Sequence, residues 1–309
     1  MEQTITTTGH SVLVIGADTG VGLATAKLLK RTGYNVTAVV NSSVAAAQAR
    51  AQGILPAYID DLTRSGEIRS ALKAANATLL VNLANQGGNQ APQFNAKWID
   101  SFEAQAKAVA EGAADAGIDY IVHGSVAFAD ARDEEIAALT RSARRAEKII
   151  LNGSVPATVL RFGFIYGANA PEAFTYKTNL HRGAFSYGGP DLGHGAWVYE
   201  ADAANAVLLA LEKRLENERL DIVDQNNAST NAFMRQFAEI QGYGLPDKLP
   251  SLIARNVIDK GALRLMELDV HADASAAQEK LGWTPQYSSF TQGIDDMLLT
   301  WRARLPIEA

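Results

Sequence analysis

The sequence predicts an α/β fold in which a parallel, doubly wound sheet carries helices on both faces. Two observations support this prediction. Short apolar, β-branched runs alternate with helical stretches through the first half of the chain, and this alternation is typical of a covered parallel sheet. In addition, the first apolar run, 12–15, leads directly into a glycine-rich turn and a helical segment.

The elements of the first half follow from local patterns. Strands are predicted where short apolar runs lie between polar or glycine-containing segments, at 12–15, 36–40, 54–59, 79–83, 120–122 and 158–165. Helices are predicted where apolar residues recur at helical spacing, at 20–31, 44–52, 65–75, 95–116 and 134–151. Gly33 and Gly53 follow two of these helices and are expected to end them.

The alternation stops after about residue 167. Glycines become frequent over 183–195, which indicates loops and short strands beside a ligand cleft, and later helices are predicted at 201–217, 251–265 and 289–302. We therefore expect an N-terminal domain over residues 1–167. We expect residues 168–309 to complete the sheet and to form a smaller lobe that binds substrate.

The composition excludes several classes of function. A net charge of -6 and a pI near 5.4 argue against nucleic acid or an anionic membrane as the main partner. The absence of cysteine excludes disulfides and thiolate chemistry, and the five scattered histidines predict no metal site. Residues 1–10 are polar and do not resemble a secretory signal, so a cytoplasmic protein is expected.

The most informative segment is the glycine-rich turn after the first strand. Gly16 can form the tight turn, Gly20 lets the backbone approach a pyrophosphate, and Gly22 permits close packing of helix on strand. The following helix would offer its free N–H groups and the positive end of its dipole to the phosphates. This spacing between a strand and a helix predicts a dinucleotide site on a Rossmann-type domain.

This opening resembles that of the short-chain dehydrogenase/reductase superfamily, and later segments resemble its extended, epimerase/dehydratase branch. In chain order the similar segments are Asp61-Leu62, 82–85 (Asn-Leu-Ala-Asn), 160–167 (Leu-Arg-Phe-Gly-Phe-Ile-Tyr-Gly), 198–202 (Val-Tyr-Glu-Ala-Asp) and 281–285 (Leu-Gly-Trp-Thr-Pro). The resemblance covers almost the whole chain. It implies a nicotinamide cofactor and, in most members, redox chemistry at a carbon–oxygen bond.

The turn, the strand ends and the resemblance together predict the residues that contact the cofactor. They are Gly16, Asp18, Thr19, Gly20, Val21, Gly22, Asn41, Ser42, Asp61, Leu62, Leu83, Ala84 and Asn85. No carboxylate ends the second strand to repel a 2′-phosphate, and Asn41 and Ser42 could donate hydrogen bonds to one, so NADP is slightly favoured over NAD. An equally good interpretation is that Asn41 and Ser42 only form a turn and a helix cap.

The resemblance also implies a catalytic serine and a Tyr-x-x-x-Lys pair, in which tyrosine transfers a proton and lysine lowers the tyrosine pKa. Ser125 occupies the serine position. Aligning Ser142 and Glu147 with the family helix places Leu139 and Ala143 where tyrosine and lysine are expected. The usual proton relay is therefore missing, and the candidate catalytic residues are Ser125 and Tyr166.

Other proton donors and other functions stay open. Tyr199, His123, His194 and Tyr187 are weaker candidates, and for His123 and Tyr166 simple burial in the core is the better interpretation. The predicted substrate contacts are Gln86, Phe164, Tyr187 and Trp197.

We expect an NAD(P)-dependent oxidoreductase acting on a small carbonyl or hydroxy compound. The alternatives are a non-catalytic cofactor sensor and a non-redox isomerase or cyclase. The helices 95–116 and 134–151 predict a homodimer, because the resembling enzymes pair through the equivalent helices.

Overall fold

A computed structural model describes residues 9–18, 20–85, 96–170, 186–188, 193–225, 227–244, 247–249, 264 and 267–304. The main sheet has seven parallel strands in the order β10-β6-β5-β4-β1-β2-β3. These strands are β1 (Ser11–Ile15), β2 (Asn35–Val39), β3 (Leu55–Ala57), β4 (Leu79–Asn82), β5 (Tyr120–Val126), β6 (Ala157–Phe162) and β10 (Glu218–Ile222). The predicted fold class is confirmed, because the sheet is parallel and helices cover both of its faces.

The two faces separate because side chains alternate along each strand. Val12 and Val14 of β1 pack under one helical layer, whereas Leu13 and Ile15 pack under the other. The first layer contains α1 (Gly20–Arg31), α2 (Ser43–Ala51), α6 (Glu200–Lys213) and α8 (Ser275–Leu281). The second layer contains α3 (Ser65–Ala74), α4 (Ala96–Ala116) and α5 (Ala137–Leu151).

A second, aromatic core lies outside the main sheet. It is built on the three-stranded sheet of β7 (Phe164–Tyr166), β9 (Gly195–Tyr199) and β11 (Asn227–Ala228), with α7 (Thr230–Ile240) and α9 (Phe290–Arg304) packed beside it. The strands β8 (Ser186–Gly188) and β12 (Asp247–Leu249) pair separately. The large buried side chains of the aromatic core are Tyr166, Trp197, Tyr199, Phe233, Phe237, Phe290 and Trp301.

The strand predicted at 158–165 is instead two strands in different sheets. Gly163 separates them: its N–H donates to the Ile222 carbonyl at 3.1 Å, after which the chain turns away to pair with β9. A side chain at Gly163 would place its Cβ 2.5 Å from the Ala196 carbonyl oxygen, so a larger residue does not fit at this crossing. Apolar residues flank Gly163 on both sides, so the sequence itself does not indicate that the chain changes sheet there.

Several other predicted bounds also need correction. The helix predicted from residue 134 begins at Ala137, and the one predicted to reach residue 217 ends at Lys213, where Arg214 adopts the left-handed conformation. The helix predicted at 251–265 lies almost entirely outside the described residues. Across the described part of the chain, no helix has the length and apolar character to cross a membrane.

The segment after α8 is fastened to the start of α6. Trp283 is fully buried and donates from its indole N–H to the Asp202 carbonyl at 2.9 Å. The Asp202 carboxylate accepts from the backbone N–H groups of Gln286 and Tyr287, both at 2.9 Å. Residues beyond 167 thus supply β10 to the main sheet and α6 to one of its covering layers. The segment after α8 then packs against the start of α6.

Candidate cofactor and active site

The glycine-rich turn joins β1 to α1 in a closely packed arrangement. Gly16 and Gly20 have φ values of 81° and 57°, in the left-handed region that favours glycine. A Cβ at Gly22 would lie 1.8 Å from the Gly16 carbonyl oxygen, and one at Gly16 would lie 2.6 Å from the Leu83 carbonyl oxygen. Helix α1 can therefore approach β1, and the turn can approach the end of β4, only because these positions lack side chains.

The start of α1 suits an anion. Its first turn contains no acidic residue, and the first N–H groups of a helix have no intrahelical acceptors. The Gly20 N–H donates to the Asn169 carbonyl at 2.9 Å. The Asn169 backbone N–H and side-chain amide in turn donate to the Glu200 carboxylate, at 3.0 and 2.6 Å. This chain of contacts ties the turn to the start of α6. Because the Gly20 N–H already donates to Asn169, the N–H groups that follow it are the ones that can bind a pyrophosphate.

Two polar atoms beside the turn fit a bound dinucleotide. Oδ2 of Asp18 and Nδ2 of Asn85 are buried, and neither has a hydrogen-bond partner among the residues that the structure describes. Burial raises the pKa of the Asp18 carboxyl. Buried polar groups normally have partners, so an unpaired acceptor and an unpaired donor at one edge of the sheet indicate a polar ligand. A dinucleotide, with its hydroxyl and amide groups, can satisfy both.

The residues after β2 form a helix cap, as the alternative interpretation of Asn41 and Ser42 predicted. Ser42 is the N-cap of α2, and its Oγ accepts from the Ala45 N–H at 3.1 Å. The first turn of α2 contains no acidic residue. A cap of this kind leaves the Ser42 hydroxyl proton available to a ligand.

The Asp61-Leu62 pair after β3 is largely engaged in local contacts. The Asp61 carboxylate accepts from the Thr63 hydroxyl at 2.6 Å and from the Thr63 N–H at 2.9 Å, and these bonds lower the Asp61 pKa. Leu62 is partly buried against the core under the second helical layer. The pair therefore shapes the loop at the adenine end of the predicted site.

The segment after β4 that is predicted to contact the cofactor, residues 83–85, is hydrogen-bonded to a buried amide–imidazole pair. Nδ2 of Asn82 lies 3.0 Å from Nδ1 of His123, and Oδ1 of Asn82 accepts from the Ala84 N–H at 3.3 Å. Burial alone lowers the pKa of His123 to about 4, so its imidazole is neutral at neutral pH. His123 is thus a buried residue with a partner, as its burial interpretation predicted.

Ser125 lies two residues further along β5 and belongs to a buried charge network. Its hydroxyl donates to Oε1 of Glu147 at 2.6 Å. Arg161 on β6 binds the same carboxylate through two hydrogen bonds of 2.8 and 2.7 Å, and it also contacts Asp130 at 2.6 Å. Since the Ser125 proton is directed at Glu147, the serine oxygen can offer only lone pairs to a ligand. Neither Glu147 nor Arg161 was singled out as functional from the sequence.

The positions that the resemblance assigns to tyrosine and lysine are part of the core. Leu139 and Ala143 on α5 are fully buried under the second helical layer. Ser142, which set the register of the comparison, donates to the Ile99 carbonyl on α4 at 2.7 Å. Leu139 and Ala143 therefore make apolar packing contacts where the resemblance implies a polar tyrosine and lysine.

Tyr166 lies in the aromatic core. Its ring packs within 5.6 Å, centroid to centroid, of Tyr199, Phe233 and Phe290, and its hydroxyl donates to the Ser289 carbonyl at a long 3.4 Å. Burial, together with nearby carboxylates, raises the Tyr166 pKa. A phenol in these surroundings is a weak acid. The weaker candidates Tyr199 and His194 have carboxylate partners, Asp296 at 2.5 Å and Asp269 at 3.2 Å.

The predicted substrate residues fall into two groups. Phe164 is partly exposed, and its ring lies 5.8 Å from Phe128 and 5.4 Å from Trp197. Trp197 itself is buried, stacks on Phe233 at 4.9 Å, and donates to the Ala228 carbonyl at 2.8 Å. Three other predicted site residues, Thr19, Gln86 and the side chain of Tyr187, lie outside the described residues.

The fold and the edge formed by the glycine turn and the ends of β4 and β5 define a nucleotide-binding protein of the Rossmann class. The sequence matches the NAD(P)H-binding family over residues 16–188, more than half of the chain. The protein therefore belongs to that family.

Solved structures of similar fold include two UDP-glucose 4-epimerases, in agreement with the resemblance to the epimerase/dehydratase branch. One is UDP-glucose 4-epimerase of Thermotoga maritima with UDP-glucose, with a TM-score of 0.77 and 20% identity, covering 96% of this chain and 100% of the other. Another is UDP-glucose-4-epimerase of Stenotrophomonas maltophila with NAD and formylated UDP-arabinopyranose, with a TM-score of 0.76 and 18% identity, covering 96% and 98%.

A relative of similar length carries a reductase name. It is the 3-diazoavenalumate denitrifying reductase of a Streptomyces species, which is 24% identical over 305 residues, covering 92% of this chain and 98% of the relative. Taken with the family, it supports NAD(P)-dependent, oxidoreductase-like activity for this protein.

Proposed function

We propose that this protein is an NAD(P)H-dependent reductase of a small polarised substrate, such as a carbonyl compound, and that it uses an atypical proton donor. The observation that carries the proposal is the glycine turn at the carboxyl edge of the sheet, beside two buried polar atoms, Oδ2 of Asp18 and Nδ2 of Asn85, that have no partner among the described residues. Ligands of parallel α/β sheets bind at that edge. Ser125 lies on β5, the strand next to the cofactor segment at the end of β4.

A bound dihydronicotinamide would supply the hydride to the substrate carbon. We propose that Ser125 positions the substrate by accepting a hydrogen bond from a hydroxyl or N–H group that the substrate carries beside its reacting carbon, because the Ser125 proton is itself directed at Glu147. We propose that the product proton comes from water, since among the described candidates Leu139 and Ala143 carry no proton to transfer and the Tyr166 hydroxyl donates to the Ser289 carbonyl. Placing reactants correctly can supply much of a rate enhancement even without a dedicated acid.

We propose that the substrate is apolar or aromatic, because a described aromatic side chain at the edge of the aromatic core, that of Phe164, is partly exposed. Phe164 offers its ring between Phe128 and Trp197. The reductase name of the Streptomyces relative supports including diazo compounds among the substrates to be tested.

We also propose that the preferred cofactor is the phosphorylated form. Ser42 presents a hydroxyl at the start of α2, whose first turn has no acidic residue, and helix N-termini favour anions. NADP and NAD are distinguished by titrating the purified protein with NADPH and NADH and following nicotinamide fluorescence. Tighter binding of NADH would overturn this choice of cofactor.

The experiment that tests the proposed function adds aldehydes, ketones, enones and aromatic diazo compounds to the cofactor complex. Oxidation of the bound cofactor, with one equivalent of reduced product, is the expected result. Binding without oxidation on any of them would favour the sensor alternative, for which the replacement of tyrosine and lysine by Leu139 and Ala143 is the specific observation. Product without a change in nicotinamide absorbance would favour isomerase or cyclase chemistry.

We propose that the protein is a homodimer that pairs through α4 and α5. Their outer groove combines partly exposed Ile99 and Ile149 with charges of both signs, including Glu103 and Arg145. Light scattering coupled to size exclusion tests this, and an Ile149→Glu variant should be monomeric. The cytoplasmic location expected from the sequence stays a prediction.

A further inference from the structure

A buried imidazole lies next to the segment after β4 that is predicted to contact the cofactor, and no step described above uses it. His123 on β5 is in register with Asn82 on β4, so their side chains lie side by side on the same face of the sheet. Both residues are almost fully buried, at 2% and 1% exposure. Their side-chain nitrogens are 3.0 Å apart.

The three polar groups at this point allow one consistent arrangement of protons. The backbone N–H of Ala84 can only donate, so it requires the oxygen of the Asn82 amide, which lies 3.3 Å away. The Asn82 NH₂ group then faces His123 and donates to Nδ1. Nδ1 must therefore carry no proton, and the imidazole is the neutral tautomer protonated at Nε2.

This arrangement extends from the sheet to the glycine turn. Ala84 and Leu83 belong to the segment that lines the cofactor, and a Cβ at Gly16 would lie 2.9 Å from the Ala84 nitrogen. The Leu83 N–H also continues the sheet by donating to the Ile15 carbonyl at 2.9 Å. The position of the Ala84 backbone is thus set on one side by Gly16 and on the other by the Asn82 amide.

We infer that His123 is a positioning residue for the cofactor: by accepting from Asn82 it fixes the amide that holds the Leu83–Ala84 segment against the glycine turn. This inference rests on the proposed cofactor site. Without an acceptor at Nδ1, the Asn82 amide is free to rotate, and its bond to the Ala84 N–H is no longer enforced. Loss of the acceptor should therefore weaken cofactor binding without unfolding the protein.

A matched pair of variants separates this role from packing. In His123→Asn the side-chain oxygen can occupy the place of Nδ1 and accept from Asn82, whereas the leucine of His123→Leu has the same branched arrangement of heavy atoms as asparagine and no acceptor. Binding of NADH and NADPH is measured by nicotinamide fluorescence, and folding by chemical denaturation. We expect the asparagine variant to bind within about threefold of the wild type, and the leucine variant to bind about tenfold or more weakly while being at least as stable as the asparagine variant.

Three outcomes would contradict parts of this picture in distinguishable ways. Wild-type affinity in a folded His123→Leu protein, or equal losses of affinity in both variants, would overturn the positioning role. Absence of binding by the wild-type protein would instead overturn the proposed cofactor site. If neither variant folds, ¹⁵N NMR of histidine-labelled wild-type protein decides, because a proton on Nδ1 of His123 would exclude the arrangement.

Discussion

The main sheet and the aromatic core of this protein are assembled from different kinds of contact. The sheet is aliphatic, and its strands and covering helices largely follow one another along the chain, so each unit can be recognised locally. The aromatic core joins residues as far apart as Tyr166 and Trp301. The proposed site lies where they meet, and its cofactor half comes from the first kind of contact while its substrate half depends on the second.

The largest expected effect is on the cofactor half. In Gly22→Ala the added Cβ would lie 1.8 Å from the Gly16 carbonyl oxygen, so α1 must move away from β1 and from the phosphates. We expect NAD(P)H affinity to fall by about 100-fold or more, measured by fluorescence titration. Gly66→Ala is the matched control, because nothing lies within 4 Å of its added Cβ, and its binding should not change. Wild-type affinity in a folded Gly22→Ala protein would show that the glycine turn does not bind the cofactor.

The second largest effect concerns the buried charge network that contains Ser125, Glu147 and Arg161. Glu147→Gln removes the buried bidentate partner of the Arg161 guanidinium, whose side chain is only 11% exposed, and leaves it the contact with the exposed Asp130 carboxylate. Breaking a buried pair on one side costs about 3 kcal/mol, so urea denaturation should show a loss of that size. In the control Glu103→Gln, the pair with Arg145 is exposed and its loss should cost less than about 1 kcal/mol. Equal losses in the two variants would show that the Glu147 pair is not structural.

The contrast between local and non-local contacts explains what the sequence could predict. Helix α1 was predicted with the bounds that it has, because a strand, three glycines and an apolar face all mark its position. The sequence does not predict that strand 158–165 is divided, because the contacts of Gly163 at the division are with Ala196 and Ile222, both distant in sequence. The sequence marks Glu147 only as a match to a family helix, since its partners Ser125 and Arg161 lie on two strands that are distant from it in sequence.

A third effect is a pH dependence of stability that belongs to His123. Burial lowers its pKa to about 4 in the folded protein, against about 6.5 when unfolded, so the unfolded chain binds the proton more readily. Stability from this group is complete above pH 6.5 and is lost as the pH falls toward 4. Between pH 7 and pH 5 the loss should be about 2 kcal/mol.

The His123→Asn variant isolates this effect from that of the carboxylates. Urea denaturation at the two pH values should show a smaller pH-dependent loss in the variant than in the wild type, by about the same 2 kcal/mol. Equal pH dependence in the two proteins would mean that folding does not lower the pKa of His123, which would contradict a buried imidazole held neutral as the acceptor for Asn82.

A smaller effect is expected at Ser125, on the substrate half. Ser125→Ala removes the oxygen that we propose accepts a hydrogen bond from substrate, and kcat/KM should fall by about tenfold, or about 1.4 kcal/mol. Glu147 keeps its two bonds to Arg161 in this variant, so stability should change little. Steady-state kinetics with a substrate found in the panel give the measurement. An unchanged kcat/KM would remove Ser125 from the substrate site.

The smallest effect is expected at Tyr166, the other candidate proton donor, and it sharpens the comparison of the two halves. Its hydroxyl makes one long bond, 3.4 Å, to the Ser289 carbonyl, and burial keeps the phenol protonated. Tyr166→Phe preserves the ring contacts with Phe233 and Phe290, so stability should change by less than about 1 kcal/mol and kcat/KM by less than about threefold. A tenfold fall in kcat with unchanged stability would instead identify Tyr166 as the proton donor. In that case the aromatic core would contribute a catalytic residue, and proton transfer from water would no longer be needed.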